Sequence, residues 1–194
     1  MKKYRWLIEL VVLLVAVFVG VQLLMTQVVS KDVVSGNSMQ PTLENGDRLY
    51  SLRHKQVKRN DIVVINAPDA PGELYIKRVI GMPGDTVKVQ NERLYVNGKL
   101  QKQPYLKTSF MRKEITDWAK ANNRSSTGVQ FTQDFDIATD KATQSEHVPQ
   151  GEYFVMGDNR FVSHDGRAFG FIPKSKIQSV VVWRYWPLTQ MKTY

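Results

Sequence analysis

The chain has 194 residues, a formal net charge of +9 and no cysteine. The lack of cysteine excludes disulfides, thiol catalysis and cysteine-ligated zinc, and three dispersed histidines (His54, His147, His164) suggest no metal centre. The length suits one compact domain beyond an N-terminal segment, with no cofactor implied.

Residues 6–25 form an apolar run of twenty residues interrupted by Glu9 and Gln22. As a helix this run covers about 30 Å, the thickness of a hydrocarbon core. Lys2, Lys3 and Arg5 precede it. The positive-inside bias then predicts a cytoplasmic N-terminus (1–5), a transmembrane anchor (6–27) and an extracytoplasmic domain (28–194). Glu9 lies near the cytoplasmic end, where it reaches the interface at modest cost. A cleavable signal peptide shares the basic start and the apolar core. However, this run is longer than a usual signal core, and residues 26–31 contain no clear small-x-small cleavage site. The net charge fits a domain lying against an anionic membrane surface. Nucleic-acid binding is disfavoured, because the basic residues are scattered and most of the chain faces away from the cytoplasm.

Beyond the anchor the pattern predicts strands at 47–50, 61–65, 73–80, 86–90, 93–96, 152–156 and 179–186, bounded by turn residues. Asn97-Gly98 is a strong hairpin signal leading into Lys99-Leu100. Many short strands with little helix between them argue for a mainly β fold, an antiparallel sheet domain preceded by one transmembrane helix. Residues 101–147 are polar and read as a small insertion between two blocks of strands. Within it, Thr108 or Ser109 is expected to cap a helix with Met111, Ile115, Trp118 and Asn122 on one face.

Three stretches carry reactive or charged groups in biased contexts. Ser38 sits on a turn bounded by Gly36 and Pro41, where a hydroxyl is exposed and backbone N–H groups are free to stabilise an oxyanion. The same position also suits a loop serine that bonds its own backbone. Lys77 lies in a strand pattern whose alternation puts Tyr75 and Val79 on its own face. Apolar surroundings favour the neutral amine, which can serve as a general base. A strand lysine can equally cover apolar surface with its stem and keep its ammonium in water. The third stretch, residues 157–167, packs Asp158, Arg160, Ser163, Asp165 and Arg167 into a short loop after a strand. Charge-assisted hydrogen bonds can make such a loop rigid. Ser38 is not in a G-x-S-x-G elbow and the chain has no S-x-x-K, so two common serine-hydrolase arrangements are absent. His164 and Asp165 are adjacent, and neighbours in an extended chain point apart, which disfavours a triad.

Taken together, Ser38-Met39-Gln40-Pro41-Thr42, the block Lys77-Arg78-Val79-Ile80-Gly81-Met82-Pro83-Gly84-Asp85, and the block from Gly157 to Arg167 resemble type I signal peptidase. That family consists of membrane-anchored Ser/Lys endopeptidases that remove signal peptides from exported preproteins. The resemblance covers the chain except the polar insertion. It implies Ser38 as nucleophile, Lys77 as general base and the Ser38 backbone N–H as oxyanion donor. It also implies Ser163 as the hydroxyl bonded to the lysine amine, Asp165 and Arg167 as braces of the loop, and an Arg78–Asp158 ion pair. The implied partners are signal-peptide-bearing preproteins and membrane lipid. Two positions depart from the family pattern. Gly36 stands where some members have an oxyanion-binding hydroxyl, and Gly166 stands where many have serine. A Ser/Lys protease of other purpose, such as pilus processing, and a non-catalytic assembly factor for surface proteins are the competing readings.

Overall fold

The computed structural model describes residues 4–194. Lys2 and Lys3, which the positive-inside argument uses, lie outside the described residues. The apolar run forms helix α1 (Arg5–Val28), 24 residues long with none buried against the rest of the chain. At 1.5 Å per residue it covers about 36 Å, long and apolar enough to cross a membrane. It leads directly into strand β1 (Val29–Val33).

The remaining strands are β2 (Arg48–Leu52), β3 (Ile62–Asn66), β4 (Leu74–Gly81), β5 (Val87–Gln90), β6 (Arg93–Val96), β7 (Lys99–Leu100), β8 (Phe135–Asp136), β9 (Glu152–Met156), β10 (Ile172–Pro173), β11 (Ile177–Trp186) and β12 (Lys192–Thr193). They build two antiparallel sheets. The larger has the order β1-β2-β11-β3-β4-β9-β10, with β12 pairing on β11, and the smaller has the order β7-β6-β5-β8. The mainly β, antiparallel expectation is therefore met.

Several strands begin one residue later than the pattern suggests, after Asp47, Asp61 and Glu73. Two of these carboxylates instead close turns. Asp47 Oδ2 accepts from the Glu44 N–H at 2.9 Å, and Asp61 Oδ2 from the Lys58 N–H at 2.9 Å. Aspartate side chains compete in this way with ladder bonds. Asn97 and Gly98 both have positive φ, 50° and 71°, as the tight β6–β7 turn requires.

The polar stretch holds helix α2 (Thr108–Ala121), whose N-cap is Lys107 with no side-chain cap bond, so Thr108 lies inside the helix rather than capping it. Met111, Ile115 and Trp118 are half-buried, whereas Asn122 is exposed. The same stretch also contributes β8, which pairs with β5, and buries Phe131 and Ile137 completely. A two-residue strand is too short for an alternation signal, which is why the sequence pattern misses it.

The larger sheet is buried on both faces. Val63, Ile65, Val79, Val155 and Ile172 pack on one side, while Val34, Met39, Leu43, Leu49 and Val64 pack on the other. A third cluster, centred on Val87, Phe154 and Met156, joins the smaller sheet to the larger. Burial of this kind is the main favourable contribution to folding. It also fixes β4 and β9, which frame the candidate site.

Candidate active site

Ser38 lies in the connection between β1 and β2. Two side chains root that turn: Met39 and Leu43 are fully buried in the cluster beneath it. Gly36 has φ +87°, a conformation that L side chains rarely adopt, and its N–H donates to Asn45 Oδ1 at 3.0 Å. The Ser38 carbonyl accepts from the Asn159 N–H at 3.0 Å, which ties the turn to the charged loop. Among the described residues, nothing accepts from the Ser38 N–H.

Lys77 projects from β4, paired opposite Val63 of β3. Strand alternation places Tyr75 and Val79 on its side, in one cluster, and sends Ile76 to the opposite cluster. Lys77 is 4 % exposed, and its Nζ lies 3.1 Å from Ser38 Oγ. The Nζ also sits 5.4 Å from the centre of the Tyr75 ring. Burial lowers the lysine pKa from 10.5 to about 8. Asp165 and Asp69 act against that shift, and Arg167 assists it. A groove of about 270 Å³ opens beside the pair, lined by Ser35, Gly36, Ser38, Leu74, Tyr75 and Lys77 among others.

The charged loop follows β9 and leads into a short helix, α3 (Gly166–Phe169). Arg78 donates to Asp158 from Nε at 2.8 Å and from Nη2 at 2.6 Å, a bidentate pair in which both side chains are buried. Asp165 receives bonds from the Gly157 N–H at 3.0 Å, from Arg167 Nε at 2.9 Å and from Arg167 Nη2 at 2.9 Å. Burial opposes ionisation of Asp165, but the Arg167 guanidinium and the backbone donors outweigh it and hold the pKa below the usual value. Arg167 also donates to the Arg160 carbonyl at 2.9 Å, closing the loop on itself.

Two glycines of this loop are required by space. A Cβ on Gly157 would lie 2.1 Å from Ser163 Oγ and 2.6 Å from the Ser38 carbonyl oxygen. A Cβ on Gly166 would lie 2.8 Å from both the Phe154 ring and the Val155 carbonyl oxygen. The departure from serine at position 166 thus matches close packing of α3 on β9.

Ser163 differs from the arrangement the resemblance implies. Its Oγ is buried without a hydrogen-bond partner among the described residues, and no bond joins it to Lys77. Its backbone N–H donates to Asn159 O at 3.0 Å, and the side chain lies against Gly157 instead. His164 does not meet Asp165. Its Nε2 pairs with Asp69 on the β3–β4 connection, an exposed contact.

Asn159, Tyr105 and Asp69 belong to the site neighbourhood without having been singled out by the sequence. Tyr105 stacks on the Arg78 guanidinium at 4.0 Å and accepts from Arg160 Nη2 at 3.2 Å. It lies in the polar stretch, and no local pattern connects it to β4. Asn159 is inside the charged loop, but its role is played by a main-chain N–H, which leaves no mark on residue type. Among the described residues no group of acidic or histidine side chains could hold a metal ion.

Comparison with known proteins matches this frame. A family model described as signal peptidase, peptidase S26, covers residues 5–186. Signal peptidase IB of Staphylococcus aureus is 36% identical over 192 residues, 97% of this chain and 92% of the relative. Signal peptidase I of Streptococcus pneumoniae is 36% identical over 172 residues, 83% of this chain and 84% of the relative. The crystal structure of a signal peptidase I from Enterococcus faecalis V583 is 39% identical, with a TM-score of 0.53, covering 65% of this chain and 97% of that one. A sheet domain that brings the three sequence blocks together behind an N-terminal apolar helix, with relatives matched over nearly their whole length, places the chain in the signal peptidases of peptidase family S26.

Proposed function

We propose that the chain cleaves signal peptides from exported preproteins with Ser38 as nucleophile and Lys77 as general base. The observation that carries this reading is the 3.1 Å approach of a buried, pKa-lowered lysine amine to the Ser38 hydroxyl. Neutral Lys77 takes the Ser38 proton as Oγ attacks the scissile carbonyl. The ammonium then protonates the leaving amine, and water activated by the same lysine releases the acyl-enzyme. The unengaged Ser38 N–H is the oxyanion donor. The Gly36 N–H, held by Asn45, contributes nothing there. Ser163, Asp165, Arg167, Arg78 and Asp158 form the frame that holds the turn and the strand at this spacing.

The reading also assigns an address. α1 is the membrane anchor, with residues 1–5 cytoplasmic and the sheet domain outside. The five residues of β1 span about 17 Å, so Ser38 acts close to the membrane surface. A preprotein whose own apolar segment lies in the bilayer presents its cleavage site at that level.

The test uses the full chain in detergent with a preprotein carrying small residues one and three positions before the cut. Wild type releases the mature protein, while Ser38→Ala and Lys77→Ala each reduce cleavage by at least about a thousandfold, the scale of losing a nucleophile or a general base. Near-normal cleavage by Lys77→Ala would remove the lysine from the mechanism.

A further inference from the structure

Helix α2 of the polar stretch packs on the charged loop, with the Trp118 ring edge-on to Phe161 at 5.7 Å. Its half-buried face carries Met111, Ile115 and Trp118, as helical spacing dictates, and Glu114 lies among them. Glutamate is among the residue types least often buried unless paired. The Glu114 partner is distant in sequence: Oε2 accepts from Asn159 Nδ2 at 2.9 Å. By contrast, Asp117 of the same helix pairs with Lys113 on the exposed side.

Asn159 is completely buried and joins three segments. Its N–H donates to the Ser38 carbonyl at 3.0 Å, and its own carbonyl accepts from the Ser163 N–H at 3.0 Å. Its Oδ1 has no partner among the described residues, so the bond to Glu114 is what orients the side-chain amide. A carboxylate accepts, and only the NH₂ end of the amide can answer it. Without that acceptor a second polar atom of Asn159 is left unpaired in the interior. Such a loss is costly, and the loop relaxes to satisfy it. The turn that carries Ser38 hangs from the same residue.

We propose that Glu114 is a positioning residue for the hydrolysis: by fixing the Asn159 side chain it holds the Asn159 N–H on the Ser38 carbonyl. The polar stretch thereby braces the nucleophile's turn from behind. Neither Glu114 nor Asn159 lines the groove beside Ser38, so the effect falls on turnover rather than on substrate binding. The inference rests on the peptidase reading, with Ser38 as the nucleophile.

The experiment follows preprotein cleavage by the full chain in detergent and amide hydrogen exchange on the same samples. Cleavage by wild type and none by Ser38→Ala tests the peptidase reading, and the Glu114 variants are read against that pair. Glu114→Ala lowers kcat about tenfold, the scale of one hydrogen bond to a charged group, and leaves KM unchanged. The rising limb of its pH profile keeps its position, because Lys77 is set by burial and by the charges of Asp165, Arg167 and Asp69. Exchange of the Asn159 N–H speeds up about tenfold, while the amides of β9 stay protected. Glu114→Gln keeps an acceptor oxygen and recovers most of both losses. Asp117→Ala, which removes the exposed carboxylate of the same helix, changes neither readout. If the alanine variant fails to fold, Glu114→Leu fills the half-buried space and is read in the same way. Unchanged kcat and exchange in the alanine or leucine variant, a glutamine variant as impaired as alanine, or a loss confined to KM would overturn the proposal. Exchange does not depend on turnover, so an inactive wild type with faster exchange in Glu114→Ala would overturn the peptidase reading alone.

Discussion

At the scale of single residues, the decisive group is Lys77, because its reactivity and its cost to stability have one cause. Burial lowers its pKa from 10.5 to about 8 by penalising the charged form. Below about pH 8 the amine is protonated both in the fold and in the unfolded chain, so the full desolvation cost is present. Between about 8 and 10.5 the unfolded chain binds more protons than the fold, so the contribution of this group to stability rises with pH. Lys77→Met should therefore raise the thermal midpoint at pH 7 while abolishing activity. That gain should shrink as the pH is raised toward 10.5, as read by thermal unfolding across the pH range. A midpoint below wild type at pH 7 would mean that the lysine is well solvated or well paired. Arg78 and Asp158 are a different case, since each buried charge has its partner. Asp158→Asn leaves Arg78 buried and uncompensated, with an expected loss of about 3–5 kcal/mol in denaturant unfolding.

At the scale of elements, β4 and the loop after β9 share the work. The strand's alternation supplies an apolar pocket for Lys77 on one face and sends Ile76 to the other, and both features are legible as period-2 pattern. The long strands are legible for the same reason. β8 is not, because two residues carry no periodicity. In the site, Ser38, Lys77 and the Arg78–Asp158 pair could be read from their motifs. The Asn159 N–H on the Ser38 carbonyl, the Tyr105 stack and the pairing of His164 with Asp69 could not, because each depends on distant chain segments meeting. The position of Ser163 against Gly157 is likewise a packing outcome that no motif encodes. The glycine at 166 gains its reason only in three dimensions. Gly166→Ser puts a Cβ against the Val155 carbonyl and the Phe154 ring, and should cost about 1–3 kcal/mol by thermal or denaturant unfolding.

At the scale of the whole molecule, the chain joins an apolar helix that buries nothing within the protein to a sheet domain with three buried clusters. Without disulfides, that domain depends on its core and on the buried ion pairs of the loop. The short path from α1 through β1 to Ser38 keeps the proposed nucleophile near the helix end. A lysine that becomes the neutral base as the pH rises through about 8 is the centre of the proposed mechanism, and the pH dependence of preprotein cleavage by the full chain tests it most directly. The prediction is a kcat/KM that rises about tenfold per pH unit below a pKa of about 8 and levels off above it, with no activity in Ser38→Ala at any pH. A rising limb centred near 6.5, the ordinary value for histidine, or activity unchanged across the titration of Lys77, would contradict it.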